Sequence, residues 1–519
     1  MKSQLAEDEN VFHKYLLAPQ IEEQGKRYFD VMLKVDDAHA LMLLTQGIIN
    51  EDEARQLLSF SRDVSVHGFR GLKTAAERED LYLNIEAHLI DKLGDYVGGK
   101  LHTGRSRNDL YACIQRIKCR DSILDLAEQI LGLRKTLLHV AGENLETVIP
   151  GYTHMQPAQP ITYGYYLAAL GHAFERDFDR LMAAYTKTNL NPLGACALAG
   201  TGFAIDRTLT GAYLGFDESM QNALDAVASR DYVADIVFAM TMLLSDIGRM
   251  NQDFYFWVTS EFSLLKLPDE FVVGSSVMPQ KRNPIIFEHC IAKVGHLLGA
   301  FVSIVTTMKG IPYTHSRATG GEVFTMLWGS VDETKTAVKW VSAILEKVEI
   351  NKDNALKNTT GNFSTATEVA DEIVRKMDVS FRTAYRIVKK AVLPLYHQGK
   401  TSEELTLAEL NSAAMDVLGR PLQGITPEDI ENALSPLGNL NKRTVLGGPA
   451  PTTVSEDIER MRMRLKDDVQ QILSWREKIG NAEKAMNEKI AHITGIANES
   501  LACKNPQANE KKAKRVCLK

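Results

Sequence analysis

Residues 230–257 read RDYVADIVFAMTMLLSDIGRMNQDFYFW. Ile236, Met240, Leu243, Ile247, Met250, Phe254 and Trp257 recur every three or four positions, the spacing of one face of an α-helix. Between Phe238 and Leu244 the apolar residues spread to most faces, which predicts a helix buried on several sides, as at the centre of a bundle. Proline spacing extends this reading outward. After Pro19 none occurs until Pro150, none between Pro192 and Pro268, and none between Pro312 and Pro394; these runs are rich in Leu, Ala, Met, Glu and Lys, as long helices require. Residues 284–308 have the same character, with Gly295 and Gly299 leaving room for a neighbouring backbone. No stretch alternates strictly enough to predict a major sheet. The expected fold is all-α: three helical regions with a long central helix bundle.

At 519 residues the chain exceeds one compact core. The expected division is an N-terminal helical region (1–103), a central bundle (104–355), a C-terminal helical region (356–486) and a lysine-rich, disordered tail (487–519). A formal charge of -6 with signs mixed throughout supplies no basic face for nucleic acid. The partner is expected to be a small molecule or another copy of the chain. No leader pattern and no window resembling a membrane span is read, so the expected location is cytoplasmic, with no membrane partner. Cys113, Cys119, Cys196, Cys290, Cys503 and Cys517 form no C-x-x-C pair, which predicts reduced thiols without zinc or disulfides. Cys517 stands third from the end, where a prenylation box needs the fourth.

Three stretches carry chemistry. Residues 274–284, GSSVMPQKRNP, read as a loop, with Gly274 permitting unusual backbone geometry and Pro284 suited to the first position of a following helix. The loop holds a candidate base (Ser275 or Ser276), a cation (Lys281) and an amide (Asn283), the parts needed to hold a carboxylate and remove a proton beside it. Residues 101–109, LHTGRSRND, open a long helix and place Arg105, Ser106, Arg107 and Asn108 where a helix N-terminus favours anions. The plainer reading makes Ser106 an N-cap and leaves the arginines in water. Residues 151–160, GYTHMQPAQP, form with Pro150 a proline-stiffened loop that aims Thr153 and His154 at a fixed point. Glu288 lies one turn beyond Pro284 among Ile285, Ile286, Phe287 and Ile291, so it needs a partner if it is buried.

The 274–284 string resembles the signature loop of the fumarase/aspartase superfamily, and LHTGRSRND and GYTHMQPAQP resemble hallmarks of its argininosuccinate lyase family. The likeness continues through NPLGACALAGTGFAIDR (191–207), NALDAVASRDY (222–232), GNFSTATEVADEIVRK (361–376) and RTVLGGPAPTTV (443–454). The resemblance implies reversible elimination of fumarate from an N-substituted aspartate, without a metal or cofactor. It implies a homotetramer in which three chains build each active site. By position, Ser106, Arg107 and Asn108 would contact substrate, Thr153 would bind a carboxylate, and His154 would take part in proton transfer with Glu288 raising its basicity. Ser275 is the preferred base, with Lys281 and Asn283 steadying the charge; His154 is the competing base, or the acid that protonates the departing amine.

The amine half departs from the family pattern. In YTHSRATGGEV (313–323), His315, Gly320 and Val323 stand where the family has tyrosine, glutamine and lysine, and His315 takes the tyrosine's substrate-binding place. In MLKVDDAH (32–39), Asp36 stands where the family has a serine. A site that reads hydrogen bonds is sensitive to losing them. The expected amine is therefore not arginine, for example one of the ethylenediamine disuccinate type. Argininosuccinate cleavage is the alternative, and an inactive crystallin-like structural paralogue is an alternative of another class. Loss of Ser275, His154 or Lys281 would favour that last reading, and all are present.

Overall fold

The computed structural model describes residues 10–496. Three helices open the chain: α1 (Ala18–Thr45), α2 (Glu51–His67) and α3 (Leu81–Gly98). The side chains of Asn50 and Asp80 cap α2 and α3 by accepting the N–H groups of Glu53 and Leu83, both at 3.0 Å. A turn follows in which Gly104 has φ +71°, and a Cβ there would meet Ile205 at 2.9 Å. Helix α4 (Arg107–Glu143) then runs for 37 residues, about 54 Å of rise.

Strands β1 (Val148–Thr153) and β2 (Gln156–Thr162) pair antiparallel and lead into α5 (Tyr163–Thr188). Short helices α6 (Arg207–Leu214) and α7 (Ala223–Ala228) precede α8 (Asp231–Trp257), α9 (Ile285–Lys309) and α10 (Val323–Lys347). Helices α4, α5, α8, α9 and α10 pack side by side as the central bundle. Every residue of the α8 stripe, from Ile236 to Trp257, is buried. Burial of that stripe fixes which side of α8 faces its neighbours.

Beyond the bundle come α11 (Lys352–Thr360), α12 (Ala366–Lys376), α13 (Phe381–His397), α14 (Leu407–Leu418), α15 (Pro427–Leu434) and α16 (Pro436–Asn441). Residues between Phe363 and Ala433 form a hydrophobic core of their own. Helix α17 (Pro451–Thr494) instead returns to the main core through Val454, Ile458, Met461, Leu465, Ile472, Met486 and Ile490. It is tied there by Arg134 on α4, whose guanidinium donates to Asp468 on α17 (2.6 Å) and Glu175 on α5 (3.0 Å). The region 356–486 thus contributes to two cores. Helix continues through Thr494, eight residues into the stretch expected to be a disordered tail; the rest of that stretch, with Cys503 and Cys517, lies almost wholly outside the described residues.

Three further expectations are corrected by the structure. The proline-rich stretch at 150–160 is a hairpin, because Pro150 and Pro160 face each other at paired positions of a two-stranded ribbon whose outer edges need no proline N–H. Gly274 is not in the left-handed region; it pairs with Arg282 in a two-residue ladder, and Pro284 precedes α9 as its N-cap. Helix α9 is long and apolar enough to cross a membrane by length and composition, although no such window was expected. Its apolar character serves the bundle on one side, where Phe287, Cys290, Leu297 and Ile304 are buried. On the other side Leu298, Val302 and Val305 are exposed, and nothing lies within 4 Å of where a Cβ on Gly295 or Gly299 would be.

Candidate active site

The first chemical stretch is built by a capping box. Ser106 Oγ accepts the N–H of Asn108 (3.4 Å) and Asp109 Oδ1 accepts the N–H of Ser106 (2.9 Å). Asp109 is buried, and its other oxygen accepts the N–H groups of Gly194 and Cys196, each at 2.8 Å. One carboxylate therefore pins the start of α4 to the 191–200 segment. Burial pushes its pKa up to about 6 against the pull of those N–H donors. Asn108 Nδ2 donates to the Ala197 carbonyl (3.0 Å), and Arg107 Nη1 donates to Glu79 (2.9 Å) and Asp80 (3.0 Å). Arg105 is buried against Asp36 at 2.7 Å, a structural ion pair rather than a solvent-facing group.

His315 lies at the same end of the bundle. The Val227 carbonyl accepts from Arg230 Nη1 (3.2 Å), and His315 Nδ1 is buried with no hydrogen-bond partner among the described residues. Its pKa is pushed down to about 4, first by burial and then by the nearby guanidiniums of Arg230, Arg317 and Arg107. A Cβ on Gly320 would meet the His315 ring at 3.1 Å. The two departures at 315 and 320 thus fit each other, since the ring occupies space that a larger residue at 320 would need. Below pH 6.5 the unfolded histidine takes up a proton that the folded ring refuses until about pH 4, so its contribution to stability is lost as pH falls through that window. Replacing His315 by glutamine is expected to flatten the acid-side fall of the unfolding temperature between pH 6.5 and 4. An unchanged slope in that variant would show that His315 does not titrate this way.

The second stretch is the tip of the β1–β2 hairpin. Thr153 pairs with Gln156, leaving His154 and Met155 as a two-residue turn with φ +54° and +58°. Such turns normally use Asn-Gly, and a histidine and a methionine at positive φ hold a strained conformation. Thr153 and His154 are exposed, and neither side chain makes a hydrogen bond among the described residues.

The third stretch opens α9. Ser275 Oγ accepts the N–H groups of Met278 (3.0 Å) and Val277 (3.3 Å). Lys281 is exposed and has no ion pair among the described residues, while Asn283 stands in the short ladder opposite Val273. Glu288 accepts from the Tyr255 hydroxyl (3.1 Å), and within one chain it forms no hydrogen bond or ion pair with His154 among the described residues.

One chain does not bring the three stretches together. Ser106, Arg107, Asn108 and His315 sit at the end where α4 begins and α9 has finished; the hairpin follows the far end of α4, about 54 Å of helix away. The 274–284 loop lies at that far end too, since α9 starts there and finishes near His315. Sequence reasoning missed Arg230, buried with Nε and Nη2 unpartnered, and missed Glu79 and Asp80, which hold Arg107. Asp109 was legible as the fourth residue of the Ser106 capping box; the ion pairs had no signal in the sequence.

A lyase family model matches residues 26–299, and an argininosuccinate lyase C-terminal model matches residues 363–441. Among similar proteins, argininosuccinate lyase 1 of Shouchella clausii is 38% identical over 478 residues, covering 92% of this chain and 96% of that protein. Argininosuccinate lyase of Methanosarcina acetivorans is 36% identical over 470 residues, covering 90% and 94%. Among solved structures, EDDS lyase in complex with formate superposes with a TM-score of 0.84 at 30% identity, covering 93% of this chain and 95% of that one. A variant of the same enzyme with bound fumarate gives the same values.

Proposed function

Because the chain belongs to the argininosuccinate lyase family of the fumarase/aspartase superfamily and is a fumarate-eliminating carbon-nitrogen lyase, we propose that its substrate is an N-substituted aspartate whose amine is not arginine. The observation that carries this is the rebuilt amine half. Asp36 is sealed against Arg105, and the His315 ring fills the space over Gly320, so the family's serine, tyrosine and glutamine have no equivalents there. Argininosuccinate is the second reading, favoured by relatives that carry that name.

In the proposed mechanism Ser275 first gives its hydroxyl proton to solvent and then, as the alkoxide, takes the proton from the carbon beside a carboxylate. Two backbone N–H groups already converge on its Oγ, and they would stabilise the alkoxide it must become. The electron pair left behind spreads onto that carboxylate, held by Lys281, Asn283 and Thr153, and the carbon-nitrogen bond then breaks with its electrons going to nitrogen. His154, polarised by Glu288, returns a proton to the departing amine or competes with Ser275 as base. Ser106, Arg107 and Asn108 steady the other end of the diacid, and His315 meets the amine half.

Residues separated by the length of α4 act on one diacid only if different copies supply them. We therefore include in the proposal a cytoplasmic homotetramer with sites shared by three chains. The exposed Leu298, Val302 and Val305 of α9 offer an apolar face for that packing. Fumarate absorbance, followed while argininosuccinate, aspartate and several N-succinyl amines are offered in turn, tests the reading. Release is expected from an N-succinyl amine at least tenfold faster than from argininosuccinate, the least discrimination that a mismatched group in such a site gives. Cleavage of argininosuccinate alone would overturn it.

A further inference from the structure

Residues 78–80 form a tight turn in which the Asp80 N–H donates to the Arg78 carbonyl (2.7 Å) across Glu79, whose φ is +64° and ψ -44°. A turn of this kind with positive φ is rare and strained for any residue with a side chain. It has two effects. It sets Asp80 as the N-cap of α3 and points its second oxygen at Arg107 Nη1 (3.0 Å). It also lays the Glu79 carboxylate on the same nitrogen (2.9 Å).

The two carboxylates differ in kind. Asp80 is 1% exposed and held by two donors, so it is fixed. The Glu79 side chain is 57% exposed and makes no other hydrogen bond, so water can replace its contact at little cost. Arg107 Nε and Nη2 have no hydrogen-bond partner among the described residues and stand free for a ligand. With both acids in place, Arg107 Nη1 is engaged by two carboxylates while the rest of its guanidinium stays open.

We propose that Glu79 is a placeholder: it occupies Arg107 while the site is empty and gives way to a carboxylate of the substrate, with Asp80 keeping the guanidinium in position. Glu79 is then a determinant of diacid affinity. The inference rests on the reading of Arg107 as a substrate ligand.

Fumarate itself is the probe, titrated calorimetrically into the full-length wild type, Glu79→Gln and Asp80→Asn. Glu79→Gln is expected to bind fumarate about threefold to tenfold more tightly, the size of one exposed charge contact. Asp80→Asn, which frees the positioned guanidinium, is expected to weaken binding by about tenfold or more. Equal or weaker binding by Glu79→Gln would overturn the placeholder role and make Glu79 a positioning residue or a bystander. Absence of binding by the wild type would overturn the assignment of Arg107, and the placeholder with it.

Discussion

Replacing Ser275 by alanine is expected to lower fumarate release by about three orders of magnitude or more, the scale on which general-base and nucleophile losses fall. The fold should survive, because the side chain is only half-buried and its hydrogen bonds come from the N–H groups of Val277 and Met278, which water can reach in the variant. Ser276→Ala is the matched control, since the Ser276 side chain is exposed and makes no hydrogen bond among the described residues. Near-wild-type turnover in Ser275→Ala would remove that residue from the chemistry. The same loss in Ser276→Ala alone would move the base one position along the chain.

Restoring the family serine at position 36 is expected to destabilise the protein rather than restore arginine selectivity. Asp36 and Arg105 are 4% and 3% exposed and lie 2.7 Å apart, off the axis of a good hydrogen bond, so Coulomb attraction holds the pair. Burial raises the pKa of Asp36, and Arg105 opposes that shift. The guanidinium also sits 5.4 Å from the centre of the Tyr82 ring, whose hydroxyl donates to Glu86 (2.6 Å) and lies 2.5 Å from His102 Nδ1. Asp36→Ser strands the cation without its counter-charge, a change that costs about 3–5 kcal/mol in buried pairs. The thermal unfolding midpoint should fall by several degrees, with Asp36→Asn falling less. An unchanged midpoint in Asp36→Ser would show that Arg105 has another partner in the assembled protein.

Much of the architecture was legible because helix periodicity is local. The α8 stripe was correct residue by residue, and residues 101–109 were read as opening a long helix, which α4 is, with Ser106 as its N-cap. The hairpin at 148–162 was not legible, since three prolines argue for a loop until their pairing partners are known. The buried Asp36–Arg105 pair joins residues 69 positions apart and left no mark in either motif. Nor did the return of α17 to the first core, where Arg134 on α4 meets Asp468.

By itself the sequence determined that this protein is a bundle of long helices carrying a hydroxyl, a lysine, a histidine and paired arginines in recognisable strings. Those properties reside in residues a few positions apart, whose geometry the backbone dictates. Only the tertiary structure decided where the strings lie, with Arg107 and His315 at one end of the bundle and Thr153 and Ser275 at the other. That separation follows from the rigid rise of α4, which no side chain within the same copy can span.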